Sequence, residues 1–118
     1  GAAERGRIAD TIATSGIHNL LMIAGDAHMV AIDDGTNSDY SAARTDGFPV
    51  LQAAPLDRSG NVKGGPYSEG TFTGPGQFGV MDVVDDGGDQ VRVRLAGRTW
   101  TGETLIEREY TFPVPAGL

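Results

Sequence analysis

Leu20-Leu21-Met22-Ile23-Ala24-Gly25-Asp26-Ala27-His28 is the stretch on which the fold turns. Its first five residues form an unbroken apolar run, the pattern of a short strand buried on both faces. Upstream, Ile8 and Ile12 fall at i and i+4 with Ala9 and Ala13 beside them, which predicts an amphipathic helix from Ala2 to Ser15. Gly16 stands where a left-handed residue would close that helix. A helix feeding a buried strand implies a parallel α/β layer, and in such layers ligands bind just beyond the carboxyl ends of strands. The turn Gly25-Asp26-Ala27-His28 occupies that position.

Further along, Asp33-Asp34-Gly35, Asn37, Asp39 and Asp46-Gly47 are turn formers, and residues 33–47 read as a long loop. Phe48 to Ala54 is a second apolar run and a second strand. Residues 57–77 are rich in glycine and proline, including Gly64-Gly65-Pro66 and Gly74-Pro75-Gly76, and nothing regular is expected there. The last third changes character. Phe78–Val84, Gln90–Ala96 and Thr104–Phe112 alternate or are β-branched and are joined by short turns, which predicts an antiparallel meander. In its middle strand Val91, Val93 and Leu95 face one way and Arg92 and Arg94 the other, within reach of Glu107 and Glu109 on the next strand in a register that the sequence does not fix. Trp100, Tyr110 and Phe112 read as core or sheet-edge packing.

At 118 residues the chain is one unit, residues 1–118. Nine basic against sixteen acidic residues give a net charge of −7, so bulk binding to nucleic acid is disfavoured. The longest apolar run is far short of the ~20 residues that a membrane helix needs. The absence of cysteine removes disulfides, zinc ribbons, iron–sulfur clusters and thiol catalysis. Eighteen glycines, about double the ~7% average, point to turns and loops rather than a helical bundle.

Among the remaining chemistries, Asp26 and His28 are the best candidates. Two residues apart after a strand, they can offer a carboxylate oxygen and an imidazole nitrogen to one cation. A turn-capping aspartate beside an ordinary loop histidine is the plainer reading of the same tripeptide. Arg58 and Lys63 flank the glycine-rich loop and can meet phosphate oxygens, Arg58 through a planar fork and Lys63 as a point charge. Asn37, with Asp33 and Asp34, is a further candidate for distant metal or substrate contact, although Asp-Asp-Gly is first a turn. His18 precedes the first strand and lies at its opposite end from Asp26.

A wider set of residues carries a resemblance. Ile8-Ala9-Asp10-Thr11-Ile12, Ser15-Gly16-Ile17 and Leu20 through Met29 resemble the last metal-binding segment of the PhoD-like (alkaline phosphatase D) metallophosphoesterases. The similarity continues through Phe48-Pro49-Val50-Leu51-Gln52-Ala53-Ala54-Pro55-Leu56-Asp57-Arg58 and Val62-Lys63-Gly64-Gly65-Pro66-Tyr67-Ser68-Glu69-Gly70, and closes with Gly97-Arg98-Thr99-Trp100. It implies an α/β (α+β) chain forming the C-terminal half of an α-β-β-α sandwich, with one N-terminal helix, buried strands and the meander. It also implies hydrolysis of a phosphate ester by metal-activated water. His28 is carried over as a metal ligand. Asp26 stands where the superfamily has the first histidine of Gly-His-x-His, and either binds metal or orients a ligand. The metal centre would be divalent or mixed, drawn from Ca, Mn, Fe or Zn.

Two histidines and no cysteine are too few for such a centre, and the superfamily's earlier ligand segments (Asp-x-His, Gly-Asp-x-x-Asp/Asn, Gly-Asn-His-Asp/Glu) are not in these 118 residues. With Gly1-Ala2-Ala3 at its start, the chain is expected to be a processed product or a piece of a longer phosphatase, inactive alone. Faces left bare in such a piece would favour a homo-oligomer. The competing expectation is a small acidic, β-rich protein-binding module without catalysis.

Overall fold

The computed structural model describes residues 1–42 and 47–115. The described elements are α1 (Ala2–Thr14), β1 (Met22–Ala24), β2 (Val30–Asp33), β3 (Val50–Gln52), β4 (Thr71–Phe72), β5 (Gln77–Val84), β6 (Gln90–Thr99) and β7 (Thr104–Pro113). The strands form two sheets, one ordered β1-β3-β2-β4 and the other β5-β6-β7. The class is α+β. Asp46, assigned from sequence to a turn, lies outside the described residues.

α1 ends as its glycine predicts. Gly16 has φ +68°, its N–H donates to the Ala13 carbonyl, and the Ile17 N–H donates to Ile12. Those paired bonds satisfy carbonyls that the helix would otherwise leave bare. The helix itself contributes no buried residue, and its Ile8 is exposed. It is held by side chains instead. The Arg5 guanidinium lies 3.9 Å from the centre of the Tyr40 ring, and Asp10 accepts from Ser41 and from the Ala42 N–H.

In the first sheet β1 and β3 run parallel, pairing Met22 with Val50 and Ala24 with Gln52, while β2 is antiparallel to β3 and to β4. The parallel pair matches the expected layer, but the burial is reassigned. β1 is the outer strand, shorter than the apolar run, with Met22 43% and Ile23 59% exposed. The strand buried on both faces is β2, an interior strand separated from β1 by β3. Its pleat sends Val30 and Ile32 into one cluster and Met29 and Ala31 into another on the opposite side. The expected loop over 57–77 is also interrupted, because β4 pairs with β2 through Thr71 and Phe72.

The meander forms close to its predicted limits. Val93 and Leu95 are buried and Arg92 and Arg94 exposed, with Arg94 reaching Glu107 at 3.4 Å and Asp82 at 3.6 Å. Trp100 departs from expectation. It sits in the β6–β7 turn, 72% exposed, with its ring over Gly76, where any side chain would collide with it.

The two sheets meet through Val30, Ile32 and Leu51 on one side and Val93, Leu95 and Ile106 on the other. Close approach depends on two glycines that face each other across the β5–β6 ladder, Gly79 and Gly97. A Cβ on Gly97 would lie 2.2 Å from Val30 Cγ1, and one on Gly79 would lie 2.5 Å from Ala53 Cβ. The paired glycines are therefore a notch that accepts the first sheet.

Gly97→Ala is expected to lower unfolding free energy in urea by about 1–3 kcal/mol, the usual cost of overpacking a core. The same substitution in a Val30→Ala background should cost clearly less, because the colliding methyl is gone. Equal costs in both backgrounds would remove the notch as the reason for glycine at this position.

Candidate functional site

The carboxyl ends of β1 and β3 lie together with the start of β2, as the parallel and antiparallel pairings require. The chains continue side by side beyond the sheet, where Ala53 N–H donates to the Ala24 carbonyl and Ala54 N–H to Met29. This places the Asp26–His28 turn beside Pro55-Leu56-Asp57-Arg58. Asp57 follows β3 much as Asp26 follows β1. Sequence reasoning singled out Asp26 by its position after a strand but did not apply the same test to Asp57, although the signal was equivalent.

Two contacts fasten the glycine-rich loop onto this end. Gly60 presses against the His28 main chain so closely that a Cβ there would lie 1.5 Å from the His28 carbonyl oxygen, and its N–H donates to the Thr73 carbonyl at 2.9 Å. Three residues later Lys63 Nζ donates to Asp26 Oδ2 at 2.8 Å, and the Tyr67 hydroxyl donates to the Lys63 carbonyl at 3.0 Å. Arg58 forks onto its neighbour Asp57 at 2.9 and 2.7 Å.

The electrostatics follow from these pairs. The Lys63 hydrogen bond, then its charge, hold the Asp26 carboxyl below the usual carboxylate range, and His28 adds to the effect. Arg58 does the same for Asp57, again with a contribution from His28. His28 is thus within electrostatic reach of both carboxylates. Asp26, His28, Asp57, Arg58 and Lys63 are all exposed, the Asp26 side chain at 89%. Among the described residues no three His, Asp or Glu side chains converge as a ready metal cage.

Asn37 is not part of this end. Asp33 pairs with Val50 at the beginning of β3, so the turn that follows β2 lies at the far end of the sheet from Asp26. There Asp33 is buried and its carboxylate accepts from the N–H groups of Gly35, Asn37 and Ser68 and from Asn37 Nδ2, at 2.6–3.0 Å. Asn37 is consequently a structural partner of Asp33. Asp34 likewise serves the turn, accepting from Thr36 while its N–H meets Ser68 Oγ. His18 is exposed ahead of β1, at that same far end.

Two cavities lie beside α1, and neither is lined by the Asp26–His28 turn. One of about 460 Å³ is lined by Arg5, Ile8, Met22, Gln52 and Tyr67 among others, and one of about 570 Å³ includes Ile12, His18 and Phe112. α1 lines both and has half-buried but no fully buried residues. Compared with descriptions of protein families, with curated proteins and with solved structures, the chain matches none.

Burial pushes the Asp33 carboxyl up, but the donors from Asn37, Ser68 and Gly35 outweigh it and its pKa is lowered. A carboxyl with a lowered folded pKa adds stability above its unfolded value, near 3.9, and that contribution is lost as pH falls through the folded value. Asp33→Asn should therefore destabilise the chain at pH 7 by about 1–3 kcal/mol and flatten the acid limb of stability below about pH 4. Urea unfolding across pH 2–7 checks both parts. An acid limb of unchanged slope would show that other carboxyls carry it.

Proposed function

We propose that the chain is the part of a metal-dependent phosphoric ester hydrolase that presents the Asp26 carboxylate and the His28 imidazole as a minority of the ligands of a metal centre. The observation that carries the reading is the pair's setting at the end of a parallel strand pair, with a cation, the Lys63 ammonium, already on Asp26 at 2.8 Å. The contact supports the reading in that Asp26 is exposed and oriented to meet a positive charge, and the oxygen-plus-imidazole donor set suits Mn, Fe or Zn, with Ca relying on the oxygen. A divalent metal bound there would supply activated water at neutral pH and neutralise developing negative charge.

The chain's own residues divide the remaining tasks. Asp26 and His28 hold position because the turn between β1 and β2 is short and is braced from outside by Gly60. Arg58 and Lys63 carry the positive charge that a phosphate ester would meet. Both are engaged by carboxylates in this structure, so they are available to substrate only by exchanging those partners.

Two donors fall short of the three that a catalytic metal usually draws from protein, so the rest must come from protein outside these residues. The surface is consistent with an absent neighbour. β1 has no strand on its outer side among the described residues. The accessible area is 7308 Å², against about 6100 Å² for a compact protein of this mass. The radius of gyration is 15.2 Å, against about 13.5 Å.

The same bare surface favours a second reading, an acidic protein-binding module. Its observation is the outer half of β5, where Met81 and Val83 project on the core-facing side of the meander and remain exposed.

The isolated chain should not hydrolyse p-nitrophenyl phosphate or bis-p-nitrophenyl phosphate with added Mn, Ca or Fe. A longer protein that adds the missing ligand segments should do so, and His28→Ala should reduce its kcat/KM by at least about 100-fold. Turnover by the longer protein that is indifferent to His28→Ala would leave the binding-module reading in its place.

A further inference from the structure

We propose that Lys63 is an internal counter-cation for Asp26, held in the place of a divalent metal ion and displaced when that ion binds. The inference rests on the hydrolase reading of the Asp26–His28 pair and adds a role for a residue outside it.

Lys63 is delivered to Asp26 by the fold, from 37 positions away. Its main chain is fixed on both sides, by the Gly60 contacts with His28 and Thr73 before it and by the Tyr67 hydroxyl bond to its own carbonyl after it. The Gly64-Gly65 pair that turns the loop at this point has φ of +74° and +104°, a conformation that glycine adopts without the strain other residues suffer. A lysine held this way starts from a main chain fixed within reach of one carboxylate. Its head is nevertheless not locked in. The side chains are 62% and 89% exposed, so no desolvated environment keeps the two charges together, and such pairs are weak and screened.

A divalent ion on the Asp26 carboxylate, with metal–oxygen bonds of about 2.0–2.6 Å, would stand within a few ångströms of the ammonium now at 2.8 Å from Oδ2, and the two positive charges repel. The more weakly held of the two, the ammonium, is the one to move. The lysine has four methylenes of freedom and a solvent-facing position, so the ammonium can swing out while its main chain stays anchored. It then remains beside the metal, free to meet the oxygens of an anionic substrate. Lys63 therefore neutralises Asp26 in the metal-free protein at the expense of metal affinity.

The test is a Mn²⁺ titration of this 118-residue chain, followed by paramagnetic broadening of the Ala27 and His28 backbone amide signals at a fixed ionic strength. Lys63→Met should tighten binding about two- to fivefold, the range set by an exposed pair. Lys63→Arg, which keeps the charge, should not. Arg58→Met, which removes the same charge from the neighbouring pair with Asp57, should leave the midpoint nearly unchanged. Equal tightening in Lys63→Met and Arg58→Met would overturn the proposal, since the effect would then be one of general field. Unchanged affinity in Lys63→Met, with binding lost in His28→Ala, would overturn it while leaving the metal site standing. Absence of local broadening in every variant up to millimolar Mn²⁺ would overturn both.

Discussion

A carboxylate taken out of water at the end of the most buried strand sets the terms for the rest of the molecule. Asp33 closes β2 and gathers donors from the Gly35–Asn37 turn and from Ser68, a segment more than thirty residues away. A charge at that depth is tolerable only if donors replace its water, and here each oxygen is engaged. The bond to Ser68 is what brings residues 67–70 alongside β2, continued by Glu69 N–H to the Ile32 carbonyl. β4 follows directly and completes the sheet. Glu69 then receives Arg108 from β7 at 2.8 Å, so one buried charge organises a path from the first sheet to the last strand.

The second constraint is steric. The Gly79–Gly97 notch lets Val30 and Ala53 press against the meander, and it fixes how far the first sheet penetrates. The consequence reaches the candidate site through the chain itself. Ala53 lies on the segment that leaves β3 toward Asp57 and Arg58, and Val30 begins the strand that His28 leads into. Packing at the notch thereby sets the positions of both segments that flank the Asp26–His28 turn.

Sequence reasoning reached much of this, and its failures have physical causes. The helix and the meander were legible because each displays its own period over eight or more residues. A parallel layer was expected from the helix that precedes β1, and β1 does run parallel to a neighbour, but which strand that would be was not legible. The burial of β1 was misjudged because an apolar run states only that a surface is apolar. Whether another strand covers it depends on the neighbour, and β1 is an outer strand. β2 was missed for the opposite reason. Val30 to Asp33 is four residues long and runs straight into Asp33-Asp34-Gly35, so turn chemistry masked the most buried strand. Asn37 was grouped with substrate residues because the direction of β2 could not be read, and one reversal of a strand moves a residue from one end of a sheet to the other. The contact between Lys63 and Asp26 left no mark in either stretch, since it depends on Gly60 fitting against His28.

The two aspartates that flank β2 show why residue type alone does not mark a site. Asp33 is buried and its oxygens are saturated by donors that cannot leave without dismantling a turn, so a cation arriving there would have to break the fold to be bound. Asp26 is exposed and its ion-pair partner is the solvent-screened Lys63 on a flexible stem, so a cation arriving there would compete with that ammonium. Both carboxyls are held below the usual range, and by opposite means, one by fixed dipoles and one by a movable charge. Exchangeability, not acidity, separates the two carboxylates, and it is the ground on which the proposed metal role falls to Asp26 and not to Asp33.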